Sequence, residues 1–503
     1  MYDDNHLITR LRAASLGHET RNFATFPARA SMTFGELFAG AERNAGALVA
    51  MGVQPGDRVA VQVDKTIEAI QLYLGTVMAG GVFLPLNTAY TTPEVAYFLG
   101  DATPRVVVCD SAREDEIAEI AEIAGGARVV TLDGKGLGSL TDAVVGRGGF
   151  DPVPRKADDL AAILYTSGTT GRSKGAMLSH ANLASNSETL RDYWRFTSQD
   201  VLIHALPIFH THGLFVATNV ALLAGARVVF LQGFDTDAIL DAMPQATALM
   251  GVPTFYTRLL ADPRLTKERA ENMRLFISGS APLLVETHEQ WEARTGHRIL
   301  ERYGMTETNM STSNPYEGER RAGTVGFPLP GVEARVMQDG KEVPSGEIGV
   351  LEVRGSNVFQ GYWQMPEKTA EELRPDGWFI TGDMAMIDAD GYVTIVGREK
   401  DLVITGGFNV YPKEIEGLID DLPGVLESAV IGVPHPDFGE GVVAVVVPEG
   451  EGTTPEAIAA ALDGQLARFK QPKQIVMIDA LPRNTMGKVQ KKALRDAYAG
   501  LFS

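Results

Sequence analysis

Short, uniformly apolar runs alternate with longer amphipathic stretches through most of the chain: Arg58–Val63, Gly81–Leu86, Arg105–Cys109, Arg227–Leu231, Ala248–Val252 and Leu275–Gly279. An apolar run without polar alternation reads as a strand buried on both faces, and helical periods between such runs read as the helices that cover them. The pattern predicts an α/β architecture built on parallel sheets. From about Val325 the texture changes to dense Gly and Pro punctuation with short strands at Gly346–Arg354 and Asp390–Val396, where Asp390-Gly391 suits a tight hairpin turn. Beyond Lys400 a compact α+β unit is expected. Tyr411–Glu416 opens a helix with Pro412 in its first turn, and a second helix is predicted over Pro455–Ala467. The predicted division is a large N-terminal domain over 1–398 and a small C-terminal domain over 399–503. The longest apolar stretch, Gly213–Leu231, is interrupted by Gly225 and Arg227 and splits into a helix-like and a strand-like half, so no membrane span is expected.

Composition narrows the function. The 503 residues carry 45 basic and 64 acidic side chains, a net charge of −19, which argues against nucleic acid or an anionic membrane as a partner. Anionic substrates must then be met by locally concentrated Lys and Arg. The single cysteine, Cys109, lies in an apolar strand, excludes an intrachain disulfide and fits a reducing compartment. Met1–His6 lacks the features of an export or import signal, so a cytoplasmic location is expected.

The most informative segment is Tyr165-Thr166-Ser167-Gly168-Thr169-Thr170-Gly171-Arg172-Ser173-Lys174-Gly175. Glycines let backbone N–H groups approach an anion, hydroxyls add donors and Lys174 adds a compact charge, so the loop reads as a phosphate cradle. It is not a Walker A loop, because Lys174 is preceded by Ser173 and followed by Gly175. Further motifs follow in order: Pro207–His210, Tyr303–Thr308, Thr381–Asp383, Gly397–Asp401 and Pro482–Lys488. Together they resemble the adenylate-forming superfamily of acyl-CoA synthetases, adenylation domains and luciferases, from about residue 25 to the C-terminus. The resemblance implies two stacked α/β subdomains plus a small β-barrel, followed by a mobile α+β domain.

The same resemblance implies roles. Thr166, Ser167, Gly168, Thr169, Thr170 and Lys174 would hold the β- and γ-phosphates of ATP, and Thr306 the α-phosphate region. Glu307 would anchor Mg2+, for which a hard carboxylate oxygen is suited. Ser278, Gly279, Ser280, Ala281, Tyr303, Gly304 and Met305 would line the nucleotide, and Asp383 and Arg398 would hold its ribose. Lys488 is the expected catalytic lysine, bridging the substrate carboxylate and the α-phosphate, and a lysine acetyltransferase acting on it is an expected partner. Lys400 matches a hinge about which the small domain turns. That rotation would bring Gly406, Gly407 and Phe408 to the site for coenzyme A, with Arg468 and Lys470 as candidates for its phosphates.

His204, His210 and His212 invite a metal reading, but His210 matches a family position beside the acyl pocket, so substrate contact is preferred. Arg302 is the telling residue for specificity. Many family members carry a small residue immediately before the Tyr-Gly-x-Thr-Glu motif, and the run Glu301–Thr308 resembles the malonyl-CoA synthetase subgroup. A guanidinium there would shorten the pocket and offer a planar fork to a second carboxylate, unless a neighbouring acid pairs with it instead. The expected activity is ATP-dependent ligation of a short dicarboxylate, malonate first, to CoA. A monocarboxylate–CoA ligase and a freestanding adenylation enzyme that loads a carrier protein are the alternatives.

Overall fold

The computed structural model describes residues 4–166, 173–405, 408–450, 452–463, 465–466, 468–484 and 487–502. Ser167, Gly168, Thr169 and Thr170 of the expected phosphate loop, and Gly406 and Gly407, lie outside the described residues. Each of the six apolar runs is a strand: Arg58–Gln62, Val82–Pro85, Val106–Cys109, Arg227–Phe230, Ala248–Gly251 and Leu275–Ser278. Four of them, Val82–Pro85, Val106–Cys109, Ala248–Gly251 and Leu275–Ser278, are buried at every position, as strands covered on both faces must be.

Two large sheets result. A six-stranded sheet runs in the order 128–131, 106–109, 58–62, 82–85, 160–166, 174–179, parallel except for its last pair. A nine-stranded sheet has a parallel centre of 300–305, 275–278, 248–251, 201–204, 227–230 and 22–25. The helix Ile67–Met78 is buried at every residue except Glu68. A helix that is apolar all round belongs inside a core, and here it reaches both subdomains. Tyr73 packs edge-on against Phe83 of the first sheet and donates to Asn219 beside the second. Gly75 permits the close approach of the helix Phe34–Ala50, since a Cβ there would lie 2.6 Å from the Asn44 side chain and 2.7 Å from the Ala41 carbonyl.

The region expected as a small barrel is a five-stranded antiparallel sheet, 341–342, 332–338, 348–355, 379–387, 393–398. Gly391 takes φ +91° in the hairpin turn before its last strand. After Arg398 the chain leaves this sheet through a short 3₁₀ turn, Glu399–Asp401, and enters another with Val403–Thr405. That last sheet has its own apolar core beneath the helices Pro412–Asp420 and Pro455–Leu462. The second helix is shorter than the predicted Pro455–Ala467: Asp463 is extended (ψ 129°), which stops the helical bonding early. Among the described residues no helix is long and apolar enough to cross a membrane.

Candidate active site

The motifs expected to hold the nucleotide meet where the nine-stranded sheet abuts the antiparallel one, at Tyr303, Asp383 and Arg398. Asp383 and Arg398 are direct cross-strand partners, and their ion pair is 2.7 Å long. Tyr303, from the strand Leu300–Met305, donates its hydroxyl to the other oxygen of Asp383 at 2.5 Å. Asp383 is buried, and desolvation pushes its pKa up while the Arg398 charge pulls it down.

Glu307 is also buried, which raises its pKa, and accepts a hydrogen bond from the Tyr362 hydroxyl at 3.0 Å. The same hydroxyl lies 2.6 Å from Glu372. Lys174 stands opposite Thr166 in the hairpin that carries the phosphate loop. Its ammonium contacts both oxygens of Glu372 at 3.1 Å and lies 4.1 Å from the centroid of the Tyr362 ring. Tyr362 and Glu372 were not foreseen from the sequence. Lys174 and Glu372 are 198 residues apart, so no local spacing signals the contact.

Arg302 is 3% exposed, and its Nε and Nη2 have no hydrogen-bond partner. Burial destabilises the charge and pulls its pKa down to about 9, which still leaves a cation at neutral pH. Gly279 makes the room, because a Cβ there would lie 2.5 Å from the guanidinium carbon. The preceding Glu301 faces the other way and contacts His288 at 3.5 Å. The acid next in sequence therefore does not neutralise Arg302. Ser278 is in register with Glu301, so its side chain shares that opposite face.

Two histidines feel the charge of Arg302. His210 is held neutral, its pKa pushed down to about 3 by burial and then by the charges of Lys488 and Arg302. His212 is buried, shares Nδ1 with the Ser280 hydroxyl at 3.3 Å and leaves Nε2 without a partner. Ser280 adopts φ +71°, a strained conformation for a residue with a Cβ. The i, i+2 spacing of the histidines drew attention to His212 only as a metal ligand. Among the described residues no group of three or more His, Cys, Asp or Glu could hold a metal ion.

Lys488 arrives from the C-terminal domain on a turn closed by Asn484, which accepts from the Lys488 backbone N–H at 3.0 Å and donates to its carbonyl at 2.9 Å. The residue is open to the cleft while protein lies around it on most sides. Desolvation lowers its pKa, Arg398 and Arg302 add to that, and Asp383 and Glu307 oppose it. One lysine thus feels the nucleotide end and the Arg302 end together. Lys400 is exposed, with its pKa lowered to about 8 by desolvation and the nearby Arg398. The coenzyme A candidates are grouped elsewhere. Phe408 stacks on Phe469 at 4.6 Å, Lys470 is paired with Glu414 at 2.6 Å, and Arg468 is exposed.

Comparison with known proteins places this geometry. The family model described as AMP-binding enzyme matches residues 12–363, and that of the AMP-binding enzyme C-terminal domain matches 414–488. A malonate–CoA ligase of Arabidopsis thaliana is 35% identical over 480 residues, 88% of this chain and 78% of that protein. A feruloyl-CoA synthase of Amycolatopsis sp. is 35% identical over 474 residues, 93% and 94% of the two chains. The crystal structure of ATP-bound MatB from Rhodopseudomonas palustris superposes with a TM-score of 0.97 at 62% identity, covering 99% of this chain and 100% of MatB. The apo form of MatB superposes with a TM-score of 0.86 at the same identity. By its matched domains, its relatives and its fold, the chain belongs to the AMP-binding enzyme family.

Proposed function

We propose that this chain joins malonate to the thiol of CoA through an acyl-adenylate, consuming ATP and releasing pyrophosphate and then AMP. Malonate–CoA ligases stand among the relatives at 35% identity and support malonate, although a feruloyl-CoA synthase stands there too. The observation that carries the choice is the buried, unpartnered guanidinium of Arg302. An isolated buried charge costs ~ several kcal/mol and is retained where a ligand supplies the counter-charge. A planar fork with two free donors suits a carboxylate. The test is AMP and CoA-ester formation with a panel of mono- and dicarboxylates, with and without CoA. A preference for butyrate over malonate would favour a monocarboxylate ligase, and adenylation without any CoA ester would favour carrier-protein loading.

A carboxylate is a poor acylating agent because its leaving group would be an oxide. Attack on the α-phosphorus of ATP converts it to a mixed anhydride, whose AMP the thiol then displaces. Both steps build negative charge, and fixed cations in a partly dry cleft stabilise it. Lys488 feels the charges of Arg398, Asp383 and Arg302 together, which suits it to bridging the reacting carboxylate and the α-phosphate, and Thr306 is assigned to the α-phosphate by its motif. Neutral His210 can approach the acid without adding charge. Asp383 and Arg398 present a ready-made acceptor and donor to ribose hydroxyls. For Lys174, phosphate oxygens would replace the Glu372 carboxylate.

Glu307 fits a Mg2+ site: it is a buried hard-oxygen ligand whose burial a cation would offset, and it stands without a full protein cage. That suits an ion which completes its shell with phosphate oxygens and water. Such an ion would neutralise charge on the transferred phosphates. Lys488 blocks the thiol's path while it serves the first step, so Lys400 is assigned as the pivot that turns the C-terminal domain away. Gly406, Gly407 and Phe408 would then reach the site, with Arg468 and Lys470 meeting CoA phosphates. Acetylation of Lys488 by a lysine acetyltransferase would remove the bridging charge. The single, buried Cys109 is compatible with a cytoplasmic setting.

A further inference from the structure

Lys65 follows the strand Arg58–Gln62 of the six-stranded sheet, and His204 ends the strand Val201–His204 of the nine-stranded one. Both are buried, at 7% and 2% exposure. The lysine ammonium donates to the His204 carbonyl at 2.7 Å, contacts its Nδ1 at 3.0 Å and lies 4.6 Å from the Phe230 ring centroid. Burial alone lowers the Lys65 pKa, with no carboxylate charge opposing it. A buried ammonium without a counter-ion is an expensive way to fill space, since an apolar side chain would pack there at lower cost.

The hydrogen bonds specify what the lysine does to the histidine. His204 Nε2 lies 3.0 Å from the Gly213 carbonyl and 3.1 Å from the Thr218 hydroxyl. A carbonyl can only accept, so Nε2 carries the proton, and Nδ1 is the acceptor for Lys65. The Thr218 hydroxyl also donates to the Gly213 carbonyl at 3.0 Å, which fills both acceptor positions of that oxygen. Gly213 lies in the first turn of a π-helix, His212–Thr218, a wide turn commonly found at functional sites. It admits no side chain, because a Cβ would lie 1.9 Å from the Pro207 carbonyl. Its neighbour in the chain is His212, whose Nδ1 lies 3.3 Å from the Ser280 hydroxyl, next in sequence to Gly279, against which the Arg302 guanidinium packs.

We propose that Lys65 and His204 are positioning residues for the acyl subsite: Lys65 holds His204 as the Nε2–H tautomer, and the bond from Nε2 to Gly213 pins the turn that places His212 beside Arg302. The inference rests on the reading that Arg302 receives the distal carboxylate of the substrate. It assigns to acid selection a pair 139 residues apart that spans the two subdomains.

The experiment is steady-state kinetics on the full chain, varying the acid and ATP separately, for Lys65→Met, His204→Phe, their double variant and His204→Gln. Expected is a fall of about tenfold in kcat/KM for the acid in both single variants, the scale of one lost buried hydrogen bond, with the KM for ATP within about twofold of wild type. The double variant should lose no more than the worse single one, because both act through one contact. His204→Gln should recover to within about threefold, since an amide can accept from Lys65 and donate to Gly213. Acid and ATP constants that move together, additive losses, wild-type kinetics, or a glutamine variant as poor as phenylalanine would each overturn the proposal. If His204→Phe does not fold, Lys65→Met decides with ¹⁵N-histidine spectra, and an unchanged His204 tautomer with unchanged kinetics sinks the idea. All constants use the acid that wild type converts best, so a preference for another acid defeats the malonate reading and leaves this test standing.

Discussion

The two ends of the cleft are built on opposite electrostatic plans. At the end proposed for the nucleotide, Asp383 has Arg398 at 2.7 Å and the Tyr303 hydroxyl, and Lys174 has Glu372. At the acyl end Arg302 and His212 keep buried polar atoms without partners. A paired site is self-sufficient and can be folded before its ligand arrives. An unpaired one holds a free-energy deficit that a ligand of opposite charge would remove, and under the proposed function that deficit selects the acid. An acid lacking a second carboxylate leaves the guanidinium as stranded as before.

The largest expected effect breaks the unpaired end. Arg302→Gly should cost malonate ~3–5 kcal/mol, the scale of a broken buried pair, or roughly 10²- to 10³-fold and more in kcat/KM. Butyrate has no second charge to strand, and the vacated volume should raise its relative efficiency. Measuring kcat/KM for both acids in both proteins decides it, and equal losses would return Arg302 to the scaffold.

Next comes Lys488→Ala, which removes the cation shared by both ends. Adenylation should fall about 10²- to 10³-fold, the scale for losing one preorganised charge at an anionic transition state. CoA-ester formation from supplied acyl-adenylate should survive. Parallel loss of both half-reactions would contradict the bridging role. Lys400→Pro is expected to act in the reverse sense: locking φ near −65° at the pivot should leave acyl-AMP formation within a few-fold and depress CoA-ester formation by about tenfold or more. Rapid-quench measurement of the two half-reactions separates this from general destabilisation, which would lower both.

The smallest effects compare the two ends through stability. Asp383→Ala strands Arg398, whose side chain is 36% exposed, so the loss should be only ~1–2 kcal/mol, discounted from the cost at a fully buried site. Arg302→Met should instead raise the stability of the substrate-free protein by ~1 kcal/mol, because it exchanges an unpaired buried charge for an apolar side chain of similar length. Chemical denaturation of the two variants reads both signs, and a loss in Arg302→Met would mean that the guanidinium is internally satisfied after all.

The elements were legible in the sequence because their cause is local. Val106–Cys109 or Ala248–Gly251 announces a doubly buried strand by composition alone, Asp390-Gly391 its turn, and Pro412 the first turn of its helix. The motifs carrying Tyr303, Asp383, Arg398 and Lys488 were equally readable, and Arg302 stood out before the Tyr-Gly-x-Thr-Glu run as the residue proposed to select the acid. The end of the helix at Leu462 was not, since the predicted pattern ran on through a residue whose backbone is extended.

What the sequence by itself determined, then, is the doubly buried strands, the family and the identity of the charged residues in its motifs. Only the tertiary structure decided which charges are paired. Asp383 meets Arg398 through cross-strand register, Lys174 meets Glu372 across 198 residues, and Lys65 meets His204 across 139. Arg302 stays single because the strand pleat turns Glu301 to the opposite face, toward His288, and Gly279 leaves a space that the guanidinium fills. Pairing and desolvation are properties of a packed interior, and a linear chain has no interior from which to read them.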